Sequence, residues 1–359
     1  MNIALIARSS LYKIRGGDTT QVLKTAAELK KLGVHTQIFL ASQKIPYEKF
    51  DLLHFFNIIR PADHLYHIRK SNKPYAVSTI YLDYAEFDRK GRAPLTRNLF
   101  RLLGKSKSEY IKNLYRFVKN QDRLVSPEYL LGHKRAINKV LNGASLILPN
   151  SESEFNRLTR DFEFKGDFMV VPNGIDRGIF NEIPENIHRQ EKVICVAQIY
   201  GMKNQHSLIQ VCNKLGVSLD IIGEAPPNHK KYKEYCRKIA GRNVTFYGHM
   251  PQRELIDHYA SAKVHALPSW SETTGLSSLE AGAMGCNLVV GEGGDTRAYF
   301  EDLAWFCEAY NLESIEKAVL MALDEPVKYD LREIILNRYT WQKAAEATCK
   351  AYERILNNE

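Results

Sequence analysis

Short apolar runs alternate along the chain with longer stretches of helical periodicity. NIALIA at residues 2–7 has the continuous apolar character of a buried strand, and in the next stretch Val22, Ala26 and Leu29 recur on one face of a helix. Similar apolar runs follow, up to DFMVVPNG in the first half and again from KVICVAQ in the second. Continuous apolar strands that alternate with helices are typical of parallel sheets covered on both faces. The pattern therefore predicts an α/β protein.

The stretch VVPNGIDRGIFNEIPENIHRQEK, residues 170–192, separates the two halves. It is rich in Pro, Asn and charged residues, as a linker is. A chain of 359 residues is long enough for two domains. We expect two doubly wound domains, the first over residues 1–172 and the second over residues 173–340. Because ligands of open parallel sheets bind beyond the carboxyl ends of the strands, candidate site residues are those that follow the strands.

The composition favours an anionic partner and a reducing compartment. The net charge is +9, which suits phosphates, acidic lipids or nucleic acid. The six cysteines begin at Cys195 and form no C-x-x-C pair, so reduced thiols are expected. The N-terminal apolar run is too short for a signal peptide, and no run approaches the length of a membrane span. We therefore expect a cytoplasmic protein.

The segment SETTGLSSLEAGAMGCNLVVGEGG, residues 271–294, has the features of an anion site. It follows the apolar run KVHALPS, and residues 273–275 open the next helix. The first amides of a helix have no intrahelical partner and carry partial positive charge, so they suit a phosphate. Glu272 lies before the helix and Glu280 inside it, where each can reach a group attached to that phosphate. The alternative is a capped helix, with Ser271 or Glu272 as the cap and Glu280 solvated.

Two glutamates with seven residues between them, Glu272 and Glu280, precede a small-residue helix, an apolar strand and the turn Gly293–Gly294. This order resembles the signature of the retaining glycosyltransferases of family four, the group one enzymes with the GT-B fold. RGGDTTQVLKTAAELKKLG, VVPNGID and YTWQKAAEATCKAYERIL resemble the family's first glycine loop, its interdomain strand end and its closing helix. The resemblance covers nearly the whole chain. It implies two Rossmann-like domains that face an interdomain cleft, with residues 341–359 packed back on the first domain as the closing helix.

The resemblance also implies roles for the residues of this segment. Glu280 would bind the ribose of a nucleotide sugar, and Glu272 would lie beside the donor sugar as a catalytic residue. The backbone at the helix start would hold the diphosphate or the sugar, through Thr273, Thr274, Gly275 and Leu276. Transfer would retain the anomeric configuration. The nucleotide-diphospho-sugar is a substrate, so no cofactor is expected, and no metal is expected because amides and a basic side chain replace it.

Other donor-side candidates follow strands elsewhere in the chain. Gly16 and Gly17 match the family's first glycine loop, although a plain strand-to-helix turn is the alternative. Lys203 matches a family lysine and would stabilise the leaving diphosphate as a catalytic cation; the alternative is a surface lysine. Gln198 stands where the family usually has an arginine, a departure that removes one cation from the donor site. The remaining matches are Gly248 and Met250, where the family holds the base, and Asp295, near the donor sugar.

The acceptor side has three candidates. Tyr81 stands where the family often has a histidine after a strand. Together with Asp83 it would line the acceptor side, or both residues are ordinary loop surface. His54, near the end of an apolar run, is the third candidate, and a structural histidine is the alternative there.

Residues 89–123 hold eleven Lys or Arg against two acidic residues, interleaved with Leu, Phe, Tyr and Ile. Basic helices with aromatic and leucine residues often lie on anionic membrane surfaces. We therefore expect peripheral binding to the inner face of the membrane through this window, with an ordinary solvated helix as the alternative.

These features together predict a metal-independent hexosyl- or related glycosyltransferase. It would move a sugar from a nucleotide-diphospho-sugar to a glycan or lipid-linked acceptor in surface polysaccharide or glycolipid synthesis. A nucleotide-sugar epimerase or hydrolase on the same fold is an alternative, and it would turn over donor without an acceptor. A basic nucleic-acid-binding protein is a further alternative on charge alone. The sequence lacks helix-turn-helix, zinc-finger and ribonucleoprotein signatures, so no nucleic acid partner is expected.

Overall fold

A computed structural model of the chain describes residues 1–83, 86–91, 132–327 and 329–357. These residues group into two compact units. The first unit runs to residue 81, resumes over residues 132–173 and ends with the C-terminal helix. The second unit takes residues 174–340 and, in addition, the described residues of the segment 82–91. Of the basic window 89–123, only residues 89–91 are described, so the predicted membrane surface lies outside the described residues.

The described residues form eleven strands, and every pairing between them is parallel. In chain order the strands are β1 (Asn2–Ala7), β2 (His35–Leu40), β3 (Leu52–Phe56), β4 (Tyr75–Ser78), β5 (Leu146–Ile147), β6 (Gln190–Val196), β7 (Ser218–Ile222), β8 (Val244–Tyr247), β9 (Ala262–Leu267), β10 (Asn287–Gly291) and β11 (Trp305–Cys307). The parallel sheets confirm the predicted α/β class.

Thirteen α-helices lie between or after these strands in the described part of the chain. They are α1 (Gly17–Lys31), α2 (Pro61–Ser71), α3 (His133–Asn142), α4 (Glu152–Asp161), α5 (Arg177–Phe180), α6 (Gln205–Leu215), α7 (Lys230–Ile239), α8 (Gln252–Ser261), α9 (Leu276–Ala283), α10 (Thr296–Phe300), α11 (Leu312–Asp324), α12 (Tyr329–Arg338) and α13 (Trp341–Leu356). Among these same residues, no helix is long and apolar enough to cross a membrane.

The sheet of the first unit has the strand order β2-β1-β3-β4-β5 among its described residues. Its apolar strands are buried because helices cover the sheet; Leu53 and Phe55 of β3 and Val77 of β4 belong to one core with Val140 of α3. The C-terminal helix α13 packs on α1. Tyr352 of α13 is fully buried, so this helix is an integral part of the first unit.

The sheet of the second unit has the order β11-β10-β9-β6-β7-β8 among its described residues. Strand β6 comes first in the chain; β7 and β8 extend the sheet on one side of it, and β9, β10 and β11 on the other. The loops after the neighbouring strands β6 and β9 therefore lead in opposite directions. In open parallel sheets, ligands bind in the crevice at this reversal of strand order.

The six cysteines are all unbridged thiols. Five of them are buried, and Cys349 on α13 is partly exposed. Cys195 and Cys212 belong to the core on one face of the second sheet, where they pack as small apolar side chains.

Three of the buried histidines, one on β3, one on α2 and one on β9, have strongly lowered pKa values. Burial lowers the pKa of His54, His64 and His265 to about 3 in each case, so all three are neutral at pH 7. His54 has hydrogen-bond partners for both ring nitrogens. His265, in the middle of β9, has none for either nitrogen among the described residues. A buried polar group without a partner costs stability in the folded state.

We predict that acid destabilises the protein through these histidines. An unfolded histidine titrates near pH 6.5 and these folded ones near 3. Between these values the unfolded state binds more protons, so stability falls as pH falls, by up to about 1.4 kcal/mol per pH unit and histidine. His265→Leu should raise the free energy of unfolding at pH 7 by about 1 kcal/mol and reduce the acid slope. Urea unfolding between pH 7 and pH 5 measures both.

The matched control for this prediction is His54→Leu, which removes a histidine of the same pKa that does have partners. It should reduce the acid slope but lower stability at pH 7. A His265→Leu variant that is less stable than the native protein at pH 7 would show that the ring has a partner of energetic value.

Candidate active site

The loops after β6 and β9 meet at the reversal of strand order. The backbone amide of Trp270 donates to the carbonyl oxygen of Met202 at 2.9 Å, which joins the two loops. Next to this bond, the ammonium group of Lys203 donates to Oε1 of Glu272. Lys203 and Glu272, which the sequence analysis predicts to be catalytic, therefore form an ion pair between the two loops.

The ion pair is largely enclosed. The side chains of Lys203 and Glu272 are 18% and 11% exposed. Burial alone would lower the pKa of Lys203, but the charge of Glu272 and its hydrogen bond to the ammonium group act against it, and the pKa of Lys203 is raised. Lys203 is therefore held as a cation at neutral pH, in a setting of reduced solvent screening where a charge acts strongly on a ligand.

Helix α9 begins at Leu276, three residues later than the predicted start at Thr273 and four positions after Glu272. Gly275 stands at its N-terminal end with φ at +75°, a left-handed conformation that favours glycine. Its carbonyl oxygen accepts from the amide of Ser278 at 2.8 Å. The amides that come before Ser278 in the helix have no intrahelical partner, as at any helix start. The helix start therefore presents amides of the kind that suit an anion, and their role in binding one stays a prediction.

Glu280, inside α9, is held by two protein donors. Nε2 of Gln252 donates to Oε1 at 2.6 Å, and the hydroxyl of Tyr259 donates to Oε2 at 3.2 Å. Burial and the neighbouring charge of Glu280 raise the pKa of Tyr259 well above its usual value, so this hydroxyl remains a donor. The carboxylate of Glu280 is therefore oriented by two side chains of α8.

The glycine at the end of β10 and the two that follow the strand fit against the backbone of the β9 loop. A Cβ atom added to Gly291, Gly293 or Gly294 would lie 2.0 Å from the carbonyl oxygen of Ser269, Trp270 or Glu272 respectively. The amide of Glu272 donates to Gly293 at 3.1 Å, and the amide of Asp295 donates to Glu272 at 2.8 Å. The glycine turn therefore fixes the backbone of Glu272, a steric role that the sequence analysis did not assign to it.

The other donor-side candidates of the second unit follow different strands. Asp295 is fully buried at the start of α10. The carbonyl oxygen of Gln198, after β6, accepts from Gln205 at 2.8 Å. Gly248 and Met250 follow β8, which β7 separates from β6. The geometry thus brings together Lys203, Glu272 and the glycine turn, and the donor-side roles of all the candidates stay predictions.

In the first unit, the glycine loop rests on a buried arginine. Arg8, directly after β1, pairs with Asp18 of α1 at 2.5 Å and donates to the carbonyl oxygen of Ser10 at 3.0 Å. The hydroxyl of Thr19 accepts from the amide of Gly16 at 3.1 Å. Gly16 and Gly17 therefore stand at the start of α1 on a loop that Arg8 holds in shape.

The acceptor-side candidates of the first unit are engaged within the fold. His54 contacts the hydroxyl of Tyr352 at 2.7 Å and that of Ser78 at 2.9 Å. The hydroxyl of Tyr81 donates to Asp161 at 2.6 Å. These contacts give His54 a structural role, which was the alternative there. Tyr81 is buried, so it is not loop surface, and its acceptor-side role stays a prediction. Asp83, partly exposed in the second unit, keeps its acceptor-side role as a prediction.

Three polar residues that organise the loops were missed by the sequence analysis. Asn204, with φ at +59°, donates to the carbonyl oxygens of Pro268 at 3.1 Å and Ala309 at 2.7 Å, so it joins the loops after β6, β9 and β11. Glu154 accepts from the amides of Tyr81 at 2.7 Å and Asn150 at 2.8 Å. Arg8 is the third. All three follow strand ends, and the S-x-x-E spacing before Glu154 was a readable capping signal.

Metal ligands of the usual kind do not cluster in the described part of the chain. No group of three or more His, Cys, Asp or Glu side chains there could hold a metal ion.

Gly294→Ala should displace Glu272. The added Cβ would lie 2.0 Å from the carbonyl oxygen of Glu272 at a φ of +90°, whereas Gly216, at φ +68°, has nothing within 4 Å. Gly216→Ala therefore measures the cost of left-handed backbone alone, about 1–2 kcal/mol. We expect Gly294→Ala to lose a further 1–3 kcal/mol or so through overpacking, measured by urea unfolding. Equal losses in the two variants would mean that the loop accommodates the methyl group.

Residues 177–341 match the family model described as glycosyl transferases group 1. The curated relatives include a GDP-mannose-dependent monoacylated alpha-(1-6)-phosphatidylinositol monomannoside mannosyltransferase of Corynebacterium glutamicum, 22% identical over 55% of this chain and 58% of that protein. They also include a glycogen synthase of Mycobacterium tuberculosis, 26% identical over 52% of this chain and 48% of that protein. The chain thus aligns with about half the length of these relatives.

Solved structures match the fold over its whole length. Sucrose-phosphate synthase from Thermosynechococcus elongatus superposes with a TM-score of 0.75 at 15% identity and covers 100% of both chains. The Anabaena HepE protein in complex with UDP and glucose superposes with a TM-score of 0.72 at 13% identity over 98% of this chain and 99% of that one. The two parallel sheets and these structures confirm the GT-B fold, and the match over residues 177–341 confirms that the second half of the chain resembles the group 1 glycosyl transferases.

Proposed function

We propose that this protein transfers a sugar, with retention of anomeric configuration, from a nucleotide-diphospho-sugar to a glycan or lipid-linked acceptor. The observation that carries the proposal is the Lys203–Glu272 ion pair next to the start of α9. It unites a cation, a carboxylate and helix amides at the reversal of strand order, which is where such a sheet binds its ligand.

The leaving diphosphate is the group that most needs positive charge. When the bond between the anomeric carbon and the phosphate oxygen breaks, negative charge develops on that oxygen. Lys203, whose pKa is raised, and the first amides of α9 are suited to stabilise this charge. In our proposal the incoming diphosphate replaces Glu272 as the anionic partner of Lys203.

The exchange of partners leaves Glu272 available to the donor sugar. Its carboxylate would accept from sugar hydroxyls and orient the anomeric carbon. The acceptor hydroxyl then attacks from the face that the diphosphate leaves, and its proton passes to the leaving phosphate oxygen. Configuration is retained, and the protein supplies charge and position rather than a general base.

Glu280 would bind the ribose of the donor. Gln252 and Tyr259 orient its carboxylate at 2.6 and 3.2 Å. In our proposal the diphosphate binds at the helix start and the two adjacent ribose hydroxyls donate to this carboxylate, which accepts hydrogen bonds but cannot donate them when ionised.

The names of similar proteins support a nucleotide sugar as the donor, but they differ in the base of the nucleotide. The Corynebacterium relative is named for GDP-mannose, and HepE was solved with UDP and glucose. We also propose that transfer is independent of metal, because Lys203 and the helix amides supply the positive charge that a divalent ion would otherwise provide.

Thermal shift with UDP-glucose, GDP-mannose and ADP-glucose tests the donor class. A donor at a hundred times its dissociation constant should stabilise the protein by about 2.7 kcal/mol. Product analysis with and without glycan acceptors then separates transfer from donor hydrolysis or epimerisation, and EDTA should leave turnover unchanged. The proposal fails if no nucleotide sugar stabilises the protein, if donor is consumed equally without acceptor, or if activity lost to EDTA returns with magnesium.

Glu280→Gln should weaken donor binding, since it keeps the shape and removes the charge. A hydrogen bond to a charged group contributes about 1.5–3 kcal/mol, so the donor dissociation constant should rise roughly tenfold to a hundredfold. Tyr259→Phe is the matched control, because it removes a donor to Glu280 but leaves the carboxylate charged. Calorimetric titration with the best donor measures both. Equal affinity in native and Glu280→Gln protein would exclude the ribose role.

A lipid-linked acceptor in surface polysaccharide or glycolipid synthesis would require the protein to work at a membrane surface. We propose that residues 89–123 bind anionic lipid there. Each cation near such a surface contributes about 1 kcal/mol, screened by salt. The variant with glutamine at Arg97, Arg101, Lys105 and Lys107 should lose liposome binding and keep donor binding. Flotation with anionic and neutral liposomes at low and high salt is the measurement; no flotation with anionic liposomes at low salt would favour a soluble acceptor.

A further inference from the structure

A short turn that precedes the second unit in sequence covers the two charged loops of that unit. Residues 86–91, here called the covering turn, include one π-helical turn, Phe87–Gly91. Although the turn follows β4 in sequence, it packs within the second unit. The proposed function assigns no role to Phe87.

The ring of Phe87 lies against both loops that carry the ion pair. Its centroid is 5.9 Å from that of Trp270, with the two rings inclined at 66°. On the other loop, a Cβ atom added to Gly201 would lie 3.3 Å from Cζ of Phe87. Trp270 and Gly201 each stand two positions before a charged residue, Glu272 and Lys203. Phe87 therefore contacts the seam where the two loops meet.

The covering turn has a second anchor on a third loop. Nζ of Lys90 lies 3.5 Å from the centre of the Tyr310 ring, after β11, and 3.1 Å from Oε1 of Glu86. The loops that the turn contacts are those after β6, β9 and β11. Asn204 joins these same three loops by its hydrogen bonds to Pro268 and Ala309. The covering turn thus contacts the same three loops that the hydrogen bonds of Asn204 connect.

Glycine at residue 91 lets the turn lie close to the seam. A Cβ atom there would lie 2.4 Å from Cδ2 of Phe87 and 2.9 Å from Cε2 of Trp270. Real Cβ contacts are not this short, so any side chain at Gly91 would displace one of the two rings. The position of the covering turn is therefore specific rather than a loose surface contact.

From this geometry we propose that Phe87 is a positioning residue that keeps the loops of Lys203 and Glu272 together and excludes water from their ion pair. Aromatic contacts stabilise the closed arrangement of the loops, and excluding water strengthens the interaction between the two charges. Without the ring, the Trp270–Met202 backbone bond would open more often and expose the ion pair. The catalytic meaning of the pair rests on the proposed function, but the loop closure can be measured without activity.

The rate at which Lys203 is acetylated in the native protein tests the proposal. Acetic anhydride at limiting dose modifies only deprotonated, accessible amines, and peptide mass spectrometry compares Lys203 with Lys31, whose side chain is 70% exposed. Phe87→Ala should raise the relative rate at Lys203 about tenfold, as expected for loss of an aromatic contact. Phe87→Leu should restore a rate near that of the native protein.

The matched control is Phe155→Ala in the first unit. Phe155 stacks on Phe168 with ring centroids 3.6 Å apart, so this variant also loses one aromatic pair. It should leave the acetylation rate of Lys203 as low as in the native protein. An unchanged rate in folded Phe87→Ala, or an equal rise in Phe155→Ala, would overturn the proposal.

Gly91→Ala provides a second route if Phe87→Ala does not fold, because it displaces the ring and leaves Phe87 in place. It should also raise the acetylation rate of Lys203, and an unchanged rate would overturn the proposal.

With a donor from the panel, Phe87→Ala should lower kcat about tenfold and leave the donor KM nearly unchanged, as when an interaction matters for the chemical step. If Lys203 is acetylated faster in Phe87→Ala but kcat equals that of the native protein, the positioning role is rejected. Failure of every donor would overturn the proposed function but not the acetylation result.

Discussion

The Lys203–Glu272 ion pair depends on the reversal of strand order between β6 and β9. These strands are neighbours, and their loops lead in opposite directions, so a lysine from one can meet a glutamate from the other. The pair is mostly enclosed, and an enclosed charge without its partner is costly. The Trp270–Met202 bond and the bonds of Asn204 therefore matter because they keep the loops, and so the charges, together.

Under the proposed function, the ion pair also explains how a diphosphate site can be stable without its ligand. The positive groups at the start of α9 and on Lys203 would repel one another in an empty site, and Glu272 supplies a negative charge within the chain. A diphosphate would offer more negative charge than one carboxylate, so exchange of partners is favourable only for a strongly anionic ligand. The resting arrangement thus discriminates against weakly charged ligands.

The architecture was readable from the sequence because its signals are local. Apolar runs mark buried strands, and the spacing of Glu272 and Glu280 around a glycine marks a helix start. Pairings across long distances in the chain left no such signal. The sequence does not show that His54 contacts Tyr352, that Gln252 holds Glu280, or that residues 86–91 cover the second unit. Such contacts depend on how strand ends come together, which apolar periodicity does not encode.

The uneven burial of the cysteines has a practical consequence for labelling this protein with a fluorescent dye. Five thiols are enclosed, and Cys349 alone of the six is partly exposed, on α13. Burial and the nearby Glu353 raise its pKa, so a maleimide dye reacts best at mildly alkaline pH. The dye would attach at one place without any engineered cysteine. Because α13 packs on α1, its fluorescence would report directly whether the last helix of the chain stays docked or detaches.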